Sequence, residues 1–163
     1  MHYKPLKILI IGDTHRRDLL TRAALDEEAP FDMLLHTGDA EGSEDYIRSI
    51  AEAPCHFVSG NCDYSPYPEE EEIVIGPHRA LLAHGHRHRV KTGLLEVVSE
   101  LKARDIDLFI HGHTHIPRAE YIGGVLVLSP GSLAEPRQES RKKTYLILRM
   151  DEKGELNYEL KSL

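Results

Sequence analysis

KILIIGDTHRRDLLTRAALDEEAPFDMLLHTGD, residues 7–39, sets the architecture of the chain. Lys7–Ile11 is a short continuous apolar run that ends at Gly12, the pattern of a buried strand. Arg17–Glu28 follows as a helix, stopped before Pro30. Met33–His36 is a second apolar strand, ending at Thr37-Gly38. Strand, helix and strand in one such stretch predict a parallel pair with the helix outside.

The alternation continues toward the C-terminus. Ser43–Glu52 reads as a second helix with Ser43 at its N-cap, and Pro54 ends it. His56–Ser59 is a third strand. Asp63–Glu72, rich in Pro, Tyr and Glu, reads as an exposed acidic loop, with Glu69–Glu72 a solvated face. Ile73–Ile75 and Ala80–Ala83 are short strands joined by a Gly-Pro turn. In Thr92–Arg104, the residues Leu94, Leu95, Val97, Val98 and Leu101 form a helical stripe. Asp107–Ile110 is a buried strand, and Arg118–Tyr121, Val125–Leu128, Thr144–Met150 and Glu155–Leu160 are strands separated by Gly turns. No repeat, low-complexity segment or linker interrupts the chain, so residues 1–163 are expected to form one α/β domain. The expected architecture is a four-layer αββα sandwich of two mixed β-sheets with helices on the outer faces. The early strands would make one mostly parallel sheet and the late strands the other.

Composition narrows the class. The chain has 163 residues, enough to bury a core, and 40% hydrophobic with 29% charged residues fits a globular protein. No apolar run approaches the roughly 18 residues that span a bilayer. Ile8–Ile11 is too short for a signal-peptide core, and the expected location is the cytoplasm. Two cysteines, Cys55 and Cys62, make no disulfide framework, and Cys55 reads as a buried small apolar residue. A net charge of −7 argues against non-specific binding to nucleic acid or anionic membrane. It leaves a phosphate substrate open, because carboxylates that face bound cations reverse the local sign. The eleven histidines are many for this length, and their placement decides what they mean.

The ligand-type residues are not scattered. Asp13-Thr14-His15 follows the first strand and Gly38-Asp39 the second. Gly60-Asn61-Cys62-Asp63 follows the third, His84-Gly85-His86 the strand at Ala80–Ala83, and His111-Gly112-His113-Thr114-His115 the strand at Asp107–Ile110. Ligands of open α/β sheets bind beyond the carboxyl ends of the strands, so neighbouring strands would bring these five loops to one place. Imidazole with carboxylate and amide oxygen suits a borderline divalent metal. Alone, Asp13 and Asp39 read as caps or turn formers, Asn61 as a turn residue and His84 as a hydrogen-bonded core histidine; the ordered set of five makes those readings poor.

This series, D-x-H, G-D, G-N-x-D, H-G-H, G-H-T-H, resembles the calcineurin-like metallophosphoesterases, in particular the small subgroup related to bacterial YfcE and the retromer subunit Vps29. The resemblance covers nearly the whole chain. It implies that Asp13, His15 and His115 bind one divalent metal ion, that Asn61, His84 and His113 bind a second, and that Asp39 bridges them. Manganese leads the metals it allows, with Ni, Fe, Co or Zn as alternatives. A hydroxide between ions roughly 3.5–4 Å apart would attack phosphorus. The implied activity is hydrolysis of a small-molecule phosphodiester; a phosphomonoesterase or a non-catalytic Vps29-like interaction scaffold are the alternatives.

One position departs from the wider family, in which G-N-H-[DE] supplies a His near the leaving group. Here it is Cys62, as in the YfcE-like subgroup, which points to esters with good leaving groups or to His86 in that role. The G-D-x-x-D-R-G of protein phosphatases is absent, as is the H-x-H-x-D-H of metallo-β-lactamases. Among the other histidines, His2, His56 and His78 read as surface or edge residues, His36 and His111 either support the ligands or pack the core, and His88 with Arg87 and Arg89 forms a solvated basic loop. Ser129-Pro130-Gly131-Ser132 reads as a structural turn with Arg137 near the site. Oligomeric state is open.

Overall fold

A computed structural model describes residues 2–64 and 66–163. Its first sheet runs β10-β9-β1-β2-β3 and its second β4-β5-β6-β8-β7. The first three strands are β1 (Leu6–Ile11), β2 (Met33–His36) and β3 (Cys55–Phe57), separated by α1 (Asp18–Glu28) and α2 (Glu44–Ala51). They pair in parallel, as short β-α-β crossovers require. The hairpin β4 (Glu70–Ile75) and β5 (His78–Ala83) leads through α3 (Leu95–Ala103) to β6 (Leu108–His111). Then come β7 (Pro117–Ile122), β8 (Val125–Pro130), β9 (Thr144–Met150) and β10 (Leu156–Ser162).

Three apolar layers hold the sandwich together. Ile8, Ile10 and Leu35 of one sheet meet Leu82, Ile110 and Leu128 of the other. The alternate residues Leu9 and Ile11 face Ala24, Leu25 and Ile47 of α1 and α2. On the far side Val97, Val98 and Leu101 of α3 cover Leu81, Phe109 and Val127. The αββα architecture is thus a direct result of strands that are apolar on both faces.

Three readings need correction and a fourth is sharpened. The late strands do not all join the second sheet: β9 and β10 return to the first and pair antiparallel beside β1. The acidic segment is not all loop, because β4 begins at Glu70. There Glu72 binds Arg79 and Arg104, and Glu71 binds His56, so charge pairing carries a strand that composition disguised. Ser43 does stand at the N-cap of α2, but its hydroxyl makes no capping bond; it donates to Asp18 Oδ1 at 2.7 Å and so ties α2 to α1. Leu95 lies outside the apolar stripe, 80% exposed, because α3 starts there and Leu94 packs in its place.

One buried carboxylate fastens the first sheet to α1. Glu28, 3% exposed, accepts from the Tyr145 hydroxyl at 2.6 Å and from Lys161 Nζ at 2.7 Å, with Lys7 Nζ at 3.4 Å. Burial pushes its pKa up, but Lys161 and Tyr145 outweigh that and leave it lowered. A lowered carboxylate stabilises the fold above its unfolded pKa and loses that contribution as pH falls through the folded value. Glu28→Gln is therefore expected to cost about 2 kcal/mol at pH 7. In urea unfolding of both proteins across pH, the deficit should vanish under acid conditions; a deficit that does not change with pH would contradict the ion-pair account.

Candidate metal centre

The carboxyl ends of β1, β2 and β3 in one sheet and of β5 and β6 in the other open onto the same edge of the sandwich. All five motifs meet there. His115 Nε2 lies 3.2 Å from Asp13 Oδ1 and 3.4 Å from His15 Nε2. His84 Nε2 lies 2.9 Å from Asn61 Oδ1, 3.3 Å from Asp39 Oδ2 and 3.8 Å from Asp13 Oδ1. Three sets of donor atoms each fall within 4.8 Å of one another: Asp13 with His15 and His115, Asp13 with Asp39 and His84, and His15 with Glu41 and Cys62. The His113 imidazole belongs to none of these sets; it stands edge-on to His84 with ring centroids 5.0 Å apart. His86 packs at 5.4 Å from the His84 ring and 6.1 Å from that of His113.

The chemistry of these contacts is unusual. The Nδ1–H of His84 donates to the Thr37 carbonyl at 2.8 Å, that of His115 to the Glu135 carbonyl at 2.7 Å, and that of His15 to Glu41 Oε2 at 2.8 Å. Each partner can only accept, so in the neutral rings Nε2 presents a lone pair. Those lone pairs point at carboxylate and amide oxygens, which are acceptors too. Asp13 Oδ1, fully buried, accepts no hydrogen bond among the described residues. Acceptors crowded in this way repel unless a positive charge sits among them. A proton on Nε2 would offset part of that repulsion. Burial opposes it, yet contact with Asp39 and the charge of Asp13 raise the pKa of His84, and contact with Asp13 raises that of His115. Burial likewise opposes ionisation of Asp39, and His84 and the Cys62 amide outweigh it, holding Asp39 well below the usual carboxylate range. His113 goes the other way, down to about 4, through burial and the charge of His84. A donor set of imidazoles with two carboxylates and an amide oxygen fits divalent cations.

The backbone is bent to build this centre. Asp13, His15, Asp39, His113 and His115 have φ of 47°, 42°, 61°, 73° and 60°. The left-handed region costs non-glycine residues on the order of 1–3 kcal/mol each, and such strain gathers at functional sites. Glycine makes the close approaches possible: a Cβ at Gly60 would stand 2.1 Å from Asp39 Oδ1, and one at Gly112 2.7 Å from Asp13 Oδ2.

Groups behind the candidate ligands hold the loops in place. Asp63 accepts three amides, from Asp39 and Glu41 at 2.8 Å and from Gly60 at 2.7 Å, so it clamps two motif loops together. Ser132 Oγ donates to the Asp13 carbonyl at 2.7 Å and accepts the amides of Ala134 and Glu135. The Ser129–Ser132 turn is thus structural. His36 is fully buried, accepts from the Gly38 amide and bonds Thr14, and burial takes its pKa down to about 4. His111 is also buried and stacks on Phe109. In the basic segment Arg87 and Arg89 are exposed, as a solvated loop requires, and Arg87 pairs with Glu69, but His88 turns inward, packs on Phe109 and bonds Glu70.

Cys62 is exposed, and its amide donates to Asp39 Oδ1 at 2.9 Å. Burial and the charge of Asp39 push its thiol up to about 11. A cavity of about 430 Å³ opens over the centre, lined by His15, Asp39, Asn61, Cys62 and His113 together with the cations Arg17, Lys91 and Arg137. No ion pair engages these three cations among the described residues.

The chain belongs to the calcineurin-like phosphoesterase superfamily, whose domain profile matches residues 6–153. A Bacillus subtilis protein named probable metallophosphoesterase YsnB is 34% identical over 148 residues, covering 90% of this chain and 85% of its own. Three solved structures under 25% identical share the fold. An uncharacterized Streptococcus pneumoniae protein has TM-score 0.78 and 21% identity, covering 99% of each chain. Wild-type Vps29 of Entamoeba histolytica, complexed with zinc, has TM-score 0.73 and 23% identity, covering 96% of this chain and 99% of its own. A novel archaeal phosphodiesterase has TM-score 0.72 and 21% identity, covering 96% of this chain and all of its own. No helix among the described residues is long and apolar enough to cross a membrane.

Asp63→Ala leaves every candidate ligand in place but frees three amides. It is expected to destabilise the fold by about 2–3 kcal/mol and to weaken divalent-metal uptake. Thermal unfolding with calorimetric titration of Mn²⁺ measures both. Unchanged metal affinity would remove Asp63 from the centre's support.

Proposed function

We propose that the chain is a metal-dependent phosphodiesterase acting on small diesters. Its ligands would be Asp13, His15 and His115 for one cation and Asn61, His84 and His113 for another, with Asp39 shared. The observation that carries this reading is the convergence of His84 Nε2, Asp39 Oδ2, Asn61 Oδ1 and the fully buried Asp13 Oδ1 within hydrogen-bonding range or slightly beyond. When bound, such a cation pair supplies Lewis acidity to phosphoryl oxygens and a water acidic enough to ionise near neutral pH.

The remaining work falls to the chain's own groups. The Nδ1–H bonds of His15, His84 and His115 fix each ring so that Nε2 faces the centre. Arg17, Lys91 and Arg137 line the cavity over it and are placed to offset the charge of a phosphate. Asp39 stays ionised and, held by the Cys62 amide, keeps its orientation. The position that often carries His in the wider family is Cys62, whose raised thiol is a weak proton donor. Esters whose alcohol leaves without help from an acid are therefore favoured. The likeness to an archaeal phosphodiesterase supports the diester reading, and a cytoplasmic location is proposed with it.

The test is to strip the protein of metal, restore Mn²⁺, and follow p-nitrophenol release from bis-p-nitrophenyl phosphate and from p-nitrophenyl phosphate. Metal-dependent release is expected from the diester, weaker release from the monoester, and in Asp39→Ala a loss of about 10²-fold or more. Faster turnover of the monoester would make the protein a phosphomonoesterase. Bound metal with no turnover of either ester would favour an interaction scaffold.

A further inference from the structure

The cavity over the metal centre carries more positive charge than one diester can use. Arg17, Lys91 and Arg137 reach it from three different loops. Arg17 lies two residues past His15, and its amide donates to the Thr14 carbonyl at 2.8 Å. The Arg137 amide donates to the His115 carbonyl at 3.1 Å. Lys91 stands between β5 and α3, and its charge acts on His113 as that of Arg137 acts on His115. The cations therefore flank the centre, Arg17 and Arg137 beside His15 and His115, Lys91 beside His113. Against them the lining sets Asp39, Glu41 and Glu135. Asp39 is a candidate ligand and Glu41 is bonded to His15, so Glu135 is the one carboxylate left to oppose three cations among the described residues. A diester brings a single negative charge, held on the oxygens at the centre. Cations on the flanks call for anionic groups further along the substrate.

The same cavity lacks an acid for the leaving group. Its imidazoles, those of His15, His113 and His115, are all candidate ligands. Its other donors are Arg and Lys, which keep their protons at neutral pH, the Asn61 amide, and the Cys62 thiol, a weaker acid than imidazolium. His86 does not reach the lining; its ring packs against those of His84 and His113, and its Nδ1 is sealed from solvent. An alcohol that departs without a proton leaves as a strong base, and a general acid supplies about 10²–10⁴-fold in rate. A phosphate monoester is a weak base, with a second pKa of about 6, and departs unaided. It also brings the anionic charge that the flanks call for.

Resting on the phosphodiesterase reading above, we propose that the natural substrate is a disubstituted diphosphate and that the bond broken is its P–O–P anhydride. Each phosphorus of such a molecule bears two oxygen-linked substituents, as in a diester. One phosphate would lie at the centre and the other beside Arg17 and Arg137, with Lys91 facing the first from the opposite flank. Water adds to the phosphorus at the centre and the bond to the bridging oxygen breaks. The electron pair stays on that oxygen, which leaves with the second phosphate. The protons of the water pass to solvent, and two phosphate monoesters result.

Three derivatives of thymidine monophosphate that differ only in the leaving group test this: its p-nitrophenyl diester, its anhydride with phenyl phosphate, and its diester with a second thymidine. The Mn²⁺-loaded protein is expected to favour the anhydride over the p-nitrophenyl diester about ten-fold in kcat/KM. The dithymidine diester should be slower than the anhydride by about 10²-fold or more. Arg17→Gln combined with Arg137→Gln should bring the first ratio close to one. Calorimetry gives a readout independent of turnover: a methylene-bridged diphosphonate diester should bind about ten-fold more tightly than a methylphosphonate monoester, and the double variant should abolish the difference. Equal turnover of the anhydride and the p-nitrophenyl diester, with equal binding of the two phosphonates, would overturn the proposal and leave the phosphodiesterase reading standing. A preference that survives the double variant would equally overturn it, as would cleavage of the dithymidine diester as fast as the anhydride. Arginine-dependent binding of the bridged diphosphonate with no hydrolysis of any of the three would uphold the diphosphate as ligand and sink the phosphodiesterase reading, which separates the two.

Discussion

An imidazole lone pair, two carboxylate oxygens and an amide oxygen cannot share one small buried volume without a positive charge among them. That constraint governs the edge of the sandwich where the two sheets open. His84 is fully buried with its Nδ1–H committed to Thr37, so its Nε2 must face Asp39 and Asn61. The ring has no alternative orientation that keeps the Thr37 bond. The raised pKa of His84 and the depressed one of Asp39 follow from that contact, and the neighbouring contact of His115 with Asp13 raises His115 in the same way.

Crowding these acceptors together costs stability, and the fold is built to bear that cost. Five candidate ligands lie in left-handed backbone, a conformation that persists only where neighbouring structure over-determines it. Here the neighbours are the Asp63 clamp, the Ser132 hydroxyl on the Asp13 carbonyl, and the amides of His15 and Asp13 bonded to Asp39 and Gly38. Behind them lie strands with no exposed apolar face, so the edge cannot relax by shifting a strand.

The fold was legible where hydrophobic pattern and spacing agree. Ile8–Ile11, Leu34–Leu35 and Leu108–Ile110 are short runs buried on both faces, and each is followed by a motif. What could not be read was pairing at a distance. Nothing local in Thr144–Met150 says that it returns to lie beside β1, because that choice depends on which edge the hairpin finds open. Glu70–Glu72 hid a strand because their partners Arg79 and Arg104 lie elsewhere in the chain. The site divides in the same way. Asp13, His15, Asp39, Asn61, His84 and His115 stand together as the motif order implies, and the His113 ring stands beside them. Asp63 belongs to the third motif and Ser132 to the structural turn, but their clamping bonds, like that of Glu41 to His15, show only in the geometry, because acids and serines in loops are common. His88 cannot be told in sequence from its exposed arginine neighbours because its partners Phe109 and Glu70 are remote along the chain.

The account stands or falls on whether cations complete the centre, and thermal unfolding with counted metal tests it most directly. The protein would be stripped with a chelator, titrated with Mn²⁺ by calorimetry, and unfolded at each metal concentration. The account predicts two ions per chain and a melting midpoint that rises with free metal, equivalent to about 2.7 kcal/mol at a hundred times the dissociation constant. A chain that takes up no metal, with a midpoint indifferent to chelator and to Mn²⁺, would contradict it.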